Sequence, residues 1–411
     1  MDQTLRAHAD AIIQASIRAV LPDAAVKRAL ANREFPGRVV LVAAGKAAWQ
    51  MAKAAYDCLG GRIDRGVVVT KYGHVQGPIG DFLCLEGGHP APDENSFAAT
   101  EQALELVRGL TERDTVLFLL SGGGSALFEK PLTPGPVLRD ITDQLLACGA
   151  DIVEINTIRK RLSAVKGGRF AQLCAPAHVF SIVLSDILGD PLDMIASGPA
   201  CADSSTCAQA RAIVEKYGLR LTTDIRSLLD RETPKSLDNV TALVTGSVRQ
   251  LCAAAAEACR SFGYEPVVLT DRLCCQAREA GSFLASILRT HAGSGRASAF
   301  LAGGETVVQL TGRGLGGRNQ ELALSAAVGL DGLAGAAVFS VGSDGTDGPT
   351  DAAGGYADGD TAGTLRSQGV DIFQVLREND AYHALQRCGG LVITGPTGTN
   401  VNDVAVALLR G

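Results

Sequence analysis

The sequence predicts an α/β protein of two domains, on three observations. Short aliphatic runs alternate with helical patterns along the whole of its 411 residues. Glycine is in excess, 48 residues where the usual share is about 7%, and many of these glycines sit just behind an aliphatic run. Aromatic residues make up 5% of a chain that is 46% hydrophobic, so its core is aliphatic.

Runs of four to eight apolar residues bounded by turn signals read as buried strands. They are Val39–Ala44, Val67–Lys71, Phe82–Glu86, Thr115–Leu120, Val179–Ser185, Ala242–Thr245, Pro266–Thr270, Ala297–Ala302, Val307–Thr311, Ala337–Val341 and Leu391–Thr394. Helical patterns fill the intervals: Thr4–Val20, Ala47–Cys58, Ser96–Arg108, Pro136–Gly149, Ile152–Leu173, Ser205–Tyr217, Val248–Phe262, Gln276–His291, Asn319–Leu330, Thr361–Gln368 and Val401–Leu409. Strands alternating with helices imply crossover connections and parallel strands covered on both faces. Between Ser227 and Asn239 the chain turns polar around Pro234, which divides it into residues 1–234 and 235–411. The close pair Ala297–Ala302 and Val307–Thr311 reads as an antiparallel hairpin, so the second sheet is expected to be mixed.

Composition excludes several classes. With 38 Lys plus Arg against 44 Asp plus Glu, the net charge of −6 argues against nucleic-acid or membrane-surface binding, which needs a basic face. No window approaches the run of about 18 apolar residues that a membrane span requires, and Asp2, Arg6, Asp10 and Arg18 interrupt any signal-peptide core, so a cytoplasmic protein is expected. The eleven cysteines include no C-x-x-C spacing. They read as reduced residues, Cys58, Cys148, Cys252 and Cys259 as small members of the core.

In open α/β sheets ligands bind beyond the carboxyl ends of strands, so residues there carry the functional reading. Gly45-Lys46 follows the first run at a helix start, where unpaired N–H groups and a lysine make an anion site. Ser121-Gly122-Gly123-Gly124-Ser125 follows the fourth run, and its backbone can converge on phosphate or carboxylate oxygens. Asp186 follows the fifth; it suits either a Mg²⁺ ion or the proton of a substrate hydroxyl, with Asp190 as a weaker companion. Gly316-Gly317-Arg318-Asn319 opens a later helix, and Arg318 reads as a guanidinium clamp for an anion. The G-x-G-x-x-G match at 312–317 is a weak dinucleotide fingerprint, because no strand-end acid follows about 20 residues on.

Asp344 lies in a Gly/Asp-rich loop that suits a cation or a nucleotide, with an Asx-turn as the plain alternative. Thr397 and Asn400 lie in another Gly/Thr-rich helix start. His89, in the rigid turn Gly88-His89-Pro90, is either structural or a base. Arg159 and Lys166 belong to the one dense basic cluster and would add positive field to a cleft. With no Cys/His metal set, no G-x-S-x-G elbow and no Walker A lysine, these parts suit phosphoryl transfer.

The strings AAGKAAWQMA, EGGHPAPDENS, LLSGGGSALF, NTIRKRLSAVKGGRFAQL, SDILGDPLDMIASGP, GRGLGGRNQELAL, SVGSDGTDGPTDAAGG and GPTGTNVNDVAVAL resemble, in that order, the glycerate 2-kinases of the MOFRL family. The resemblance runs from about residue 39 to the C-terminus. It implies an N-terminal Rossmann-like α/β/α domain with a parallel sheet, a C-terminal α/β MOFRL domain, and an active site between them. It also implies phosphorylation of D-glycerate at its 2-hydroxyl with ATP and Mg²⁺. Lys46, Asp186 and Arg318 stand at the family's lysine, aspartate and arginine motif positions. They are therefore the expected catalytic trio, with Asp186 also the metal candidate. D-glycerate and ATP are the expected partners, and a homodimer the assembly to test. Two rival readings stand beside it: an NAD(P)H-dependent hydroxypyruvate reductase, a label family members often carry, and a non-catalytic module binding a sugar acid or nucleotide.

Overall fold

The computed structural model describes residues 1–411. It consists of two compact units, one formed by Pro22–Thr245 and the other by Met1–Leu21 together with Gly246–Gly411. The division therefore falls after Thr245 and not after residue 234. The run expected to open the second sheet is the last strand of the first, and the N-terminal helix belongs to the C-terminal unit.

The first unit holds strands β1 (Val39–Ala44), β2 (Ile63–Lys71), β3 (Leu83–Gly87), β4 (Thr115–Leu120), β5 (His178–Leu184) and β6 (Val240–Gly246), in the order β3-β2-β1-β4-β5-β6. The β1–β2, β1–β4, β2–β3 and β4–β5 pairs are parallel. Every residue of β1 and β4 is buried, which explains their unbroken aliphatic sequences VVLVAA and TVLFLL. One face of the sheet packs on Phe118, Phe128 and Phe170, whose ring centroids lie 4.8 to 5.5 Å apart. The other packs on the helix Ala48–Leu59 through Ala48, Met51, Ala52 and Ala55, spaced as one helical stripe. The helix expected over Ile152–Leu173 is two helices, Ile152–Arg161 and Arg169–Cys174, because Gly167 and Gly168 both have positive φ.

The second unit holds β7 (Glu265–Leu273), β8 (Ser298–Gly304), β9 (Ala336–Gly342), β10 (Gly354–Asp358), β11 (Leu391–Val392) and β12 (Asp403–Leu409), ordered β11-β10-β9-β12-β8-β7. β7 and β8 are parallel, while β12 runs antiparallel to both β8 and β9, so the sheet is mixed. Its mixed character does not come from the expected hairpin. Val307 makes a single bridge to Gln276, and Leu310 is 81% exposed. The segment Val401–Leu409, expected as a helix, contains β12: all seven residues of DVAVALL are buried, and a strand covered on both faces shows no alternation to set it apart from a short helix.

The helix Gln3–Ala19 is tied into this unit at its start. Asp2 caps it through Thr4 and Leu5, the Asp2 N–H donates to Asp358, and Arg6 donates to the carbonyls of Gly389 and Leu391. All eleven cysteines are free; Cys58 and Cys148, expected in the core, are exposed. Burial pushes the thiols of Cys252 and Cys259 up to about 12. No helix is long and apolar enough to cross a membrane.

Candidate active site

The strand order of the first unit reverses between β1 and β4, the place where a parallel sheet opens a crevice beyond its carboxyl ends. The loops that leave these two strands are stitched together. Ser121 N–H donates to Ala44 O at 3.0 Å, Lys46 N–H to Gly122 O at 2.8 Å, and Ala47 N–H to Ser121 Oγ at 3.1 Å. Gly45 is required by this closeness, since a Cβ there would stand 2.3 Å from Ser121 Oγ. Lys46 bonds through its main chain alone, also accepting from Thr70 and His74, so its ammonium is left for another partner. It precedes the helix Ala48–Leu59 and is not part of its first turn.

The glycine loop gathers the other predicted residues of this unit. A Cβ on Gly122 would meet Asp186 Oδ2 at 2.2 Å, and one on Gly123 would meet His89 Cδ2 at 3.0 Å and Lys46 Cγ at 3.1 Å. Lys46, His89 and Asp186 thus surround Gly122 and Gly123. The N–H groups of these two glycines find no acceptor in the chain, as expected of a nest built for anionic oxygens. Burial, with Lys46 and Lys71 nearby, lowers the His89 imidazole below its ordinary pKa, so it is neutral at pH 7. Ser125 Oγ lies 3.3 Å from Ser197 Oγ, and Ser197 donates to Asn156 at 2.8 Å.

The turn after β5 carries the strained backbone of this unit: Asp190, Ala196 and Ser197 all have positive φ. Asp190 Oδ1 is buried without a hydrogen-bond partner. No three His, Cys, Asp or Glu side chains are grouped to hold a metal. A Mg²⁺ ion commonly uses only one or two carboxylates plus phosphate oxygens, and Asp186 with the orphaned Asp190 oxygen fits that donor set.

The basic cluster lies beneath the loop. Lys166 is fully buried and donates to Ser125 O at 2.8 Å and Phe128 O at 3.1 Å; Arg159 donates to Ser125 O at 3.0 Å. Both stand 3.5 Å from the buried carboxylate of Glu129, which the sequence did not single out. Burial lowers the Lys166 ammonium to about 8. Lys166 therefore fixes the 124–128 turn from behind and does not face solvent as a field-giving cation. Lys160 and Arg161 are also buried, bound to Asp203.

In the second unit, β12 starts where β8 and β9 end, since Asp403 pairs with both Gly304 and Gly342. Glu305, Asp403 and the loop after β9 meet there with the start of the helix Arg318–Leu330. Arg318 is held by Asp403 through Nε at 2.5 Å and Nη2 at 3.0 Å, and its Nη1 lies 3.3 Å from Glu305. The expected clamp thus has one edge occupied and the other edge partly open.

The helix start at Gly316–Asn319, where substrate or nucleotide contacts were expected, is already engaged by the protein itself. Asp347 accepts from the Asn319 and Gln320 N–H groups at 3.1 and 2.9 Å and from Asn319 Nδ2 at 3.2 Å. Asn319 and Gly317 are accordingly packing and capping residues, a Cβ on Gly317 standing 2.3 Å from Asp347 Cγ. Gly316 packs against Ala381. The glycines at 312 and 314 lie against the backbone of Glu378 and Asp380, and the N–H groups of Thr311, Gly312, Gly314 and Leu315 all bond to Glu378, Asn379 or Asp380. The dinucleotide match is a packing motif.

Asp344 accepts from Thr346 N–H, the Asx-turn alternative. Thr397 donates to Ser343 O and so ties its loop to the one after β9, while Asn400 accepts from Asn402 N–H in a local turn. Asp347 and Asp403 were not singled out in the sequence because one lay in a loop of several aspartates and the other inside a segment read as helix.

Comparisons with known proteins identify the family. The profile of a domain of unknown function (DUF4147) matches residues 8–230, and that of the MOFRL family matches residues 298–403. A D-glycerate 2-kinase from Thermotoga maritima is 53% identical and covers 99% of each chain. A crystal structure of a glycerate kinase from the same organism superposes with a TM-score of 0.95 at 52% identity, covering 99% of this chain and 100% of that one. A glycerate 2-kinase from Pyrococcus horikoshii is 40% identical, covering 92% of this chain and 88% of its own. A protein from Agrobacterium vitis named a putative hydroxypyruvate reductase is 41% identical, covering 97% and 93%.

Proposed function

The chain belongs to the glycerate kinase family in which a DUF4147 region precedes a MOFRL region, and from that premise we propose that it phosphorylates the 2-hydroxyl of D-glycerate with ATP, giving 2-phospho-D-glycerate and ADP. The observation that carries this reading is the gathering of Lys46, Asp186 and the free N–H groups of Gly122 and Gly123 at the β1–β4 switch point. Phosphoryl transfer makes few covalent demands on a protein; it needs positioning and cationic or N–H stabilisation of oxygen charge.

In this mechanism the Gly122–Gly123 N–H groups and the Lys46 ammonium neutralise phosphate oxygens. The bond from the γ phosphorus to the ADP oxygen breaks as the bond to the glycerate O2 forms. The hydroxyl proton passes to the Asp186 carboxylate. In the second unit Arg318, through the donors that Asp403 leaves open, suits an anionic carboxylate or phosphate oxygen. Mg²⁺, when bound, would supply further charge neutralisation; Asp190 would hold it, with Asp186 as a second ligand in the alternative where it does not take the proton. The neutral His89 ring beside Lys46 limits water access and offers a hydrogen bond without competing charge. An ATP-dependent enzyme with eleven free cysteines is proposed to work in the cytoplasm.

The reductase name carried by the Agrobacterium vitis relative draws no support from the Gly312–Gly317 glycines, which are engaged by Glu378–Ala381 and, at Gly317, by Asp347. Incubation with D-glycerate, ATP and Mg²⁺, read by ADP release and by phosphorus NMR of the product, tests the proposal. Glycerate-dependent ADP formation is expected. Loss of NADH with hydroxypyruvate, and no ADP, would sink it.

A further inference from the structure

The first unit contains a recess that the transfer residues leave unused. It encloses about 560 Å³ between the turn Pro90–Asp93, Phe97 on the helix Glu94–Leu106, and the side of the helix Gly135–Ala147 that carries Leu138, Thr142 and Leu146. Arg159 is part of its lining.

Two links join this recess to the glycine loop. Arg159 Nη2 donates to Ser125 O at 3.0 Å, while its Nε–H is buried without an acceptor. Pro90 directly follows His89, whose ring lies against Gly123. A molecule seated in the recess therefore borders the nest that the kinase reading assigns to phosphate.

The chemistry of the walls selects which part of a substrate enters. Asp93, Glu94, Asp140 and Asp143 line the recess against Arg139 and Arg159, so its lining is acidic on balance and disfavours a carboxylate or a triphosphate. Glycerate, a three-carbon acid, is too small and too polar for walls made of Pro90, Pro92, Phe97 and Leu138. A flat apolar body that carries hydroxyl and amine donors suits both the apolar walls and the acceptor carboxylates.

We propose that this recess receives the nucleoside of ATP, with adenine against Phe97 and Leu138 and the ribose hydroxyls donating to the carboxylates. The triphosphate then runs past Arg159 to Gly122–Ser125. This inference rests on the kinase reading and names the nucleotide subsite of the same centre.

Leu146 is 61% exposed and Ala91 is exposed, so tryptophan at either position fills the recess from its rim without disturbing the core. ADP binding is measured by calorimetry on the full chain and on Leu146→Trp and Ala91→Trp. It is expected to weaken by about tenfold or more in both variants. In steady-state assays the KM for ATP should rise by a similar factor, with that for D-glycerate changing less than about threefold. Equal ADP affinity in all three proteins, or no ADP binding to the wild type, overturns the assignment. If the wild type binds ADP yet releases none in the presence of glycerate, the kinase reading fails on its own, and the contrast in ADP binding still decides the recess.

Discussion

Asp403 grips Arg318 along one edge of its guanidinium, with Nε 2.5 Å from Oδ2 and Nη2 3.0 Å from Oδ1. Asp403 is buried and Arg318 is about one-third exposed, so the aspartate orients a cation whose far edge, next to Glu305, stays partly open. Burial raises the Asp403 carboxyl, opposed by Arg318, and the same pairing raises the guanidinium further. In Asp403→Asn the amide offers one acceptor and turns a donor toward an N–H of Arg318. Loss of one charge-assisted bond costs about 1–3 kcal/mol, read as a lower urea midpoint. If Arg318 serves the transfer step, Asp403→Asn and Arg318→Lys should each lower kcat by roughly 10- to 100-fold. The double variant should be little worse than the worse single one, because both break the same unit.

Lys46 offers a sharper separation of folding from catalysis. Its hydrogen bonds to Gly122, Thr70 and His74 are all made by the main chain. Lys46→Ala leaves each of them in place, so the thermal midpoint should move by no more than about 2 °C. Turnover should nonetheless fall about 100- to 1000-fold through loss of one stabiliser of transferring charge. Near wild-type turnover in Lys46→Ala would remove this residue from the mechanism.

Stability should fall as pH rises between about 4 and 6, the reverse of ordinary acid denaturation. Burial raises Asp347 to about 6 against the three N–H groups of Asn319 and Gln320, so the folded state holds a proton that the unfolded state has released. Over that window the folded protein binds more protons, and stability drops as each is lost. A difference of about 2 pKa units corresponds to roughly 3 kcal/mol, complete by about pH 7. Asp403, also raised, acts in the same direction. Glu154 and Glu232, both held at about 2, oppose it only below their unfolded pKa, in more acid solution, while His89, lowered by burial, opposes it below its ordinary pKa equally in wild type and variant. Urea midpoints at pH 4.5 and 7 should differ in the wild type and differ far less in Asp347→Asn; an unchanged difference would place its source elsewhere.

What could be read from the sequence followed how directly the physics acts on neighbouring residues. β1 and β4 are buried on both faces and bounded by polar or glycine residues, so their limits appear unchanged in the structure. The anion loops behind them follow from strand ends alone, a local signal. β12 was missed because DVAVALL is equally apolar at every position and is a strand only by lying between β8 and β9, far away in the chain. β10 was missed because Gly354 and Gly355 hide it; a Cβ on Gly354 would collide with Ser340 O at 1.9 Å, a constraint that only pairing reveals. The occupation of the Asn319 helix start by Asp347 likewise depends on a residue in a different loop. Local chemistry marked candidate anion sites, and long-range packing decided which of those places the protein fills with its own carboxylates.

A pair of glycines can isolate what the loop contributes to catalysis. Gly123 and Gly149 both adopt the left-handed backbone, with φ of 83° and 74°. Alanine at either position therefore carries the same kind of backbone cost, about 1 kcal/mol. Their surroundings differ. Nothing lies within 4 Å of a Cβ on Gly149, whereas one on Gly123 meets His89 at 3.0 Å and Lys46 Cγ at 3.1 Å. Both variants should lose similar stability in urea titrations. Only Gly123→Ala should lose activity, by about tenfold or more in kcat/KM, because the new methyl displaces the lysine stem and the imidazole from the nest. Equal activity in the two variants would mean that the position of Lys46 and His89 relative to Gly123 does not matter to the reaction. A loss confined to Gly123→Ala, at matched stability, ties that geometry to the transfer step without altering any charged group.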